Sequence, residues 1–262
     1  MRHLALAVIV AAGGLQAGPP ASADVRTLGF GPPVTLRTLS GSGFKGAPTR
    51  MCPSPDGSQL FVRFSERDRW GNETVRLFLV ALRGQAPVTP LEAEPLWAQL
   101  CWSRKSGPES PAVAGLRIKV ETREDLVRTT NVPREGDIGQ HGDPNASPAE
   151  VAGKAAMASQ KTYFEELRLH GQLIGKAVNR HVVPGATFGW APAPLALIAY
   201  VHEKGHLVVM DAEGRARQVP KTKKALLPAW SEDGSTLFYL EQKGGSKYEV
   251  RTVAVQWLVT GG

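Results

Sequence analysis

Apolar and polar residues alternate in short runs along most of this chain, and the runs are cut by tight-turn signals. The clearest stretch is Pro228 to Val255. Ala229-Trp230 ends one strand, Ser231-Glu232-Asp233-Gly234 turns the chain, and Leu237-Phe238-Tyr239-Leu240 opens the next strand. Ser or Asp in the first position and Gly in the fourth suit a type I turn, because Gly relieves the crowded exit. A second copy, Ser54-Pro55-Asp56-Gly57, precedes Gln59-Leu60-Phe61-Val62-Arg63-Phe64. Leu60 follows Pro53 by seven residues, as Leu237 follows Trp230, so the copies align without a gap. A third, Gly189 to Pro194, leads into Leu197-Ile198-Ala199-Tyr200-Val201. Fainter copies are Leu100-Cys101-Trp102-Ser103 and Ala146-Ser147-Pro148, the latter leading into Gly153 to Ala158.

Aligning Ser54, Ser103, Ser147, Ala191 and Ser231 gives spacings of 49, 44, 44 and 40 residues. Repeats of roughly 40–45 residues with four short strands each mark propeller blades. The expected fold is therefore all-β, a β-propeller of about five blades over 51–96, 97–144, 145–186, 187–226 and 227–259. Asp56, Gly57, Asp233 and Gly234 are the expected turn residues, and Trp102, Trp190 and Trp230 the expected blade-packing residues. The wording Ser-Pro-Asp-Gly-x-x-Leu-Phe-Val and Pro-Ala-Trp-Ser-x-Asp-Gly-x-x-Leu-Phe-Tyr resembles the WD40-like repeat of the TolB propeller family. Asp211-Ala212-Glu213-Gly214 after Leu207-Val208-Val209-Met210 is similar to that family's second hairpin. The resemblance lies in the repeats of residues 50 to 256, without the family's N-terminal domain.

Before the repeats come two other segments. Residues 1–23 have a positive start at Arg2, an apolar run from Leu4 to Ala12 and the small-residue ending Ala21-Ser22-Ala23, the pattern of a secretory signal peptide. The apolar run is far shorter than the ~20 residues that span a bilayer. The expectation is an exported protein, periplasmic or extracellular, with no membrane span. Residues 24–50 form an arm whose Asp24 to Leu39 part alternates as one or two strands around Gly31-Pro32-Pro33. Propellers often complete a blade with a strand from the other terminus, which would tie this arm to the region of Val253 to Val259 and cover a sheet edge. It could equally dock elsewhere.

Composition adds little to that picture. Hydrophobic residues at 42% and charged ones at 21% are ordinary for a globular domain. The net charge of +7 is spread thinly, with no dense basic run beyond Lys221-Thr222-Lys223-Lys224. Nucleic acid is not an expected partner in an exported compartment. Cys52 and Cys101 are the two cysteines, each two residues before an aligned Ser. An oxidising compartment invites a disulfide between them. The alternative is two buried thiols acting as small hydrophobes.

The candidate chemistry is thin. His202-Glu203-Lys204-Gly205-His206 matches H-E-x-x-H, which binds zinc when a helix brings both imidazoles to one face with Glu as base. The flanks, Leu197 to Val201 and Leu207 to Met210, are rich in β-branched residues, and Lys204-Gly205 falls where a hairpin turn is due, so a hairpin is expected. Ser147-Pro148-Ala149-Glu150 reads as a helix start with a capping box, a rival to the strand reading of that region. Arg123 to Asn145, punctuated by glycines, is expected to be a long loop. No G-x-S-x-G elbow or phosphate-cradling Gly loop is present. The function expected is an exported binding or scaffolding module without catalysis or cofactor, engaging a protein or cell-envelope polysaccharide through propeller loops. The charged tip Arg67, Asp68, Arg69 and Trp70 is the candidate contact, since Arg and Trp suit partner recognition. The alternatives are a metal-dependent hydrolase using His202, Glu203 and His206, or a polysaccharide-cleaving enzyme with its site in the propeller channel.

Overall fold

A computed structural model describes residues 25–67, 72–84, 86–110, 112–128, 157–179 and 184–260. The expected signal segment 1–23, the loop residues Asp68, Arg69 and Trp70, and the helix-or-strand stretch Ser147 to Ala156 lie outside the described residues. Those described are almost all β, in four antiparallel sheets arranged like a four-bladed β-propeller. Five repeats were expected, and four sheets stand in their place.

The N-terminal arm forms β1 (Val25–Phe30) and β2 (Val34–Leu39). The first blade is β3 (Ala47–Pro53), β4 (Gln59–Arg67), β5 (Glu73–Ala81) and β6 (Thr89–Leu91). A helix, α1 (Leu96–Ser106), then precedes the second sheet of β7 (Leu116–Arg128), β8 (Met157–Leu169) and β9 (Gln172–Asn179). The third blade is β10 (Phe188–Trp190), β11 (Leu197–Val201), β12 (Leu207–Asp211) and β13 (Ala216–Gln218). The fourth has β14 (Ala225–Trp230), β15 (Thr236–Gly244) and β16 (Lys247–Thr260), with the arm on its outer edge.

Leu100 to Ser103 is helix, not an inner strand. Leu96–Ser106 contains no β-branched residue, and its Leu, Ala, Gln, Arg and Lys all favour helix, which ends before Gly107-Pro108. The helix packs on β3 and on β10 while β14 also packs on both, so α1 takes the inner position of the second blade. The supposed second and third repeats also share one sheet. β7 and β8 pair in unbroken register from Leu116↔Leu169 to Arg128↔Met157, which makes Arg123 to Arg128 strand rather than loop.

The arm lies where strand donation puts it. β2 pairs with β16 from Tyr248↔Leu39 to Thr252↔Val34, and β1 continues along the same strand from Phe30↔Val255 to Val25↔Thr260. Gly31-Pro32-Pro33 is the joint between two collinear pieces, not a hairpin turn.

Strands buried on both faces sort their side chains by parity. On β15, Leu237 and Tyr239 enter the core between blades three and four, while Phe238 and Leu240 enter the core between four and one. On β11, Leu197, Ala199 and Val201 face blade four and Ile198 and Tyr200 face the second sheet. Wedges packed this way need both faces of each sheet apolar, which is why β11 and β12 are buried throughout.

The turns after β3 and β14 are the same device, atom for atom. Ser54 Oγ donates to Asp56 Oδ1 at 2.5 Å, and Ser58 N and Oγ donate to the two oxygens of that carboxylate at 3.1 and 2.7 Å. Ser231, Asp233 and Ser235 repeat this at 2.6, 3.0 and 2.8 Å. The Ser54 and Ser58 donors hold the Asp56 carboxyl down at about 2. A depressed carboxyl stabilises the fold above its unfolded value near 4 and loses that contribution as pH falls through about 2. Asp56→Ala is therefore expected to lower the melting temperature at neutral pH and to melt with the parent near pH 2. Calorimetry at the two pH values checks this.

Candidate functional site

β3, β10 and β14 all run toward the same end of the ring and finish in the turns at 54–57, 191–196 and 231–234. α1 shares that end and is oriented against the usual amphipathic rule. Its buried side chains are Ala98, Trp102 and Lys105, while Leu96 and Leu100, one helical turn apart, are 70% and 63% exposed. Beside them is a depression of about 340 Å³ walled by Pro53 and Pro55, by Trp97, Leu100 and Cys101 of the helix, and by an ion pair. In that pair Arg104 meets Glu232 through two parallel bonds of 2.9 and 2.7 Å. The hydrogen bonds raise the Arg104 pKa and lower that of Glu232. Both partners are half exposed, so the pair shapes the rim more than it stabilises the fold.

Two thiols meet behind the depression. Cys52 is fully buried in β3, Cys101 is partly exposed on α1, and the two are free, with Cys101 packed against the core cluster that holds Cys52. The disulfide weighed from sequence is thus a dithiol here: α1 brings its Cys101 face to β3 and the pair is unbonded. Burial pushes the Cys52 thiol well up. The hydrogen bond with Cys52, and then the cations Lys105 and Arg104, bring Cys101 down against its own burial and Glu232.

Lys105 reaches across the ring. Its Nζ donates to Pro228 O of β14 at 2.9 Å and lies 4.4 Å from the centre of the Trp102 ring. Burial lowers its pKa, against the pull of the cysteines and Glu165. Trp190 and Trp230 serve as rungs between inner elements. The Trp190 indole donates to Gly107 O at 2.8 Å and the Trp230 indole to Gly189 O at 2.9 Å. Trp102, aligned with them in sequence, stands on the helix instead.

Glu165 of β8 is fully buried. Its Oε1 accepts from Gly185 N at 2.6 Å, and its Oε2 has no hydrogen-bond partner among the described residues. Burial, opposed by the Gly185 and Thr187 amides, Asn179 and Lys105, pushes its pKa up to about 7. A raised carboxyl keeps a proton that the unfolded chain releases, so stability is complete below about pH 4.5 and is lost as pH rises through 7. That loss is on the order of 2 kcal/mol between pH 5 and pH 8. Glu165→Gln should match the parent at pH 5 and hold its stability at pH 8, as urea denaturation at both values would register.

The H-E-x-x-H segment is a hairpin. His202 N donates to His206 O at 2.9 Å and Gly205 N to His202 O at 2.7 Å, closing the turn from β11 to β12. The two imidazoles stack with centroids 4.5 Å apart and planes 10° from parallel. No third His, Cys, Asp or Glu joins them in a metal-binding group among the described residues. A depression of about 280 Å³ opens there between His202, Lys204, Lys224 and Gln242, at the end of the ring away from α1. Arg67 ends β4 opposite Glu73, at the end away from the Ser54–Gly57 turn.

Sequence reasoning missed α1 as a site, together with Leu96, Leu100, Arg104, Lys105 and Glu165. The usable signal was the absence of β-branched residues from Leu96 to Ser106. No model of a protein family matches the chain, and no curated protein matches it.

Proposed function

We propose that this chain is an exported binding module of TolB-like, WD40-like repeat type that holds a segment of a protein partner at the α1 end of its ring. The observation that carries the reading is the exposed Leu96 and Leu100 pair beside the 340 Å³ depression. A helix that buries a lysine and leaves two leucines in water gains from a cover, roughly 1.5–3 kcal/mol for each leucine fully buried. The Arg104–Glu232 pair supplies a polar rim, as protein interfaces have. The exposed Leu96 and Leu100 favour an apolar protein side chain over a saccharide, which needs hydroxyl partners. The reading drops the Arg67 to Trp70 tip, because β4 carries Arg67 away from the α1 end. Export rests on the residue 1–23 pattern. Membership of the repeat family rests on the matched Ser-x-Asp-Gly-Ser turns.

The test is a displayed random-peptide library selected on the chain lacking residues 1–23. Selected peptides should carry bulky apolar residues and bind the Leu96→Asp, Leu100→Asp double variant at least about tenfold more weakly, with the melting temperature unchanged. Peptides that bind parent and variant equally, or no selected peptide at all, would overturn the reading.

A further inference from the structure

Beyond docking, the α1 depression has a chemistry of its own. Cys101 lines it, while Cys52 stands behind Cys101 with no exposure of its own. Cys101 packs against the core cluster that holds Cys52, and α1 packs on β3, so the two thiols are neighbours that a bond of about 2.05 Å would join. We propose that Cys52 and Cys101 form a reversible dithiol–disulfide centre that reacts with small, exposed disulfides, Cys101 attacking and Cys52 resolving.

The division of roles follows from access. A disulfide seated in the depression meets only Cys101. The Cys101 thiolate attacks one of its sulfurs, the incoming S–S bond breaks, one thiolate leaves, and a mixed disulfide on Cys101 remains. Cys52 then gives its proton to the departing thiolate and attacks the Cys101 sulfur, expelling the second sulfur as a thiolate that takes up the proton Cys101 released on ionising. The balance is one disulfide reduced to two thiols and one protein dithiol oxidised to Cys52–Cys101, a transfer of two electrons. Two thiols drive the same steps in reverse.

The charges around the pair suit those roles. Lys105 and Arg104 favour the Cys101 thiolate, Glu232 opposes it, and Glu94 and burial keep Cys52 protonated until it is needed. The proposal stands on the thiol pair alone and survives if no protein segment docks above it.

The probe is glutathione. The chain is equilibrated at graded ratios of reduced to oxidised glutathione, quenched in acid, alkylated and mapped by mass spectrometry. The Cys52–Cys101 bond should form and break progressively as the ratio changes. Cys52→Ala should accumulate glutathione on Cys101, and Cys101→Ala should leave Cys52 unmodified. A pair that stays bonded at every ratio is a permanent brace and overturns the proposal, as does a pair that stays reduced at every ratio. Glutathione on Cys52 in Cys101→Ala as readily as on Cys101 in Cys52→Ala would overturn the assignment of roles. If Cys52→Ala fails to fold, the parent titration decides, since it needs no variant.

Discussion

Deleting residues 1–39 should leave no folded monomer. β1 and β2 lie along one edge of β16 from Thr260 to Tyr248, and their removal leaves that strand unpaired on its outer side. An open edge of this length is a template for pairing with another chain. The loss also reaches two cores at once, because Leu28 packs between blades three and four while Leu39 packs between four and one. Each leucine contributes roughly 2 kcal/mol by burial. With the ladder bonds, the total approaches the 5–15 kcal/mol that keeps an ordinary domain folded. Size-exclusion chromatography and tryptophan emission read the result, with aggregate or unfolded chain expected. A peptide of residues 25–39 added in trans should restore a monomer-sized complex. A truncated chain that stays monomeric and melts with the parent would show that the strap is dispensable.

That strap was legible because alternation in Asp24 to Leu39 and a strand-rich other terminus together ask for pairing. The His202 to His206 hairpin was legible for a similar reason. β-branched flanks outweigh a five-residue motif, since the motif's chemistry requires a helix the flanks will not form. The inner element of the second blade was not legible from repeat phase. Phase locates a position in the ring, and that position asks only for something that packs against β3 and β10. Trp102 looked like Trp190 and Trp230 by spacing, yet its neighbours decide the backbone and they are helix formers. Lys105 and Glu165 were hidden for another reason. A lone Lys or Glu reads as solvated until tertiary structure shows where it is buried.

Gly189→Ala should be the most damaging single change at the centre of the ring. A Cβ at Gly189 would stand 2.5 Å from Pro228 O and 3.3 Å from its carbonyl carbon. Both obstacles are backbone, so no rotamer relieves the contact and β10 must part from β14. Parting them pulls Pro228 O from Lys105 Nζ and Gly189 O from the Trp230 indole, two of the bonds that tie the inner elements together. Overpacking of this kind costs about 3 kcal/mol or more. Gly43→Ala is the control, since its Cβ would meet only Phe78 at 3.5 Å and should shift stability by about 0.5 kcal/mol at most. Urea denaturation of the two variants separates them, and equal midpoints would refute the close approach. The consequence reaches function. Inner strands in backbone contact, with Lys105 spanning from α1 to β14, leave little open space on the axis, so the partner segment we propose is expected at an end of the ring, first of all the end that α1 covers.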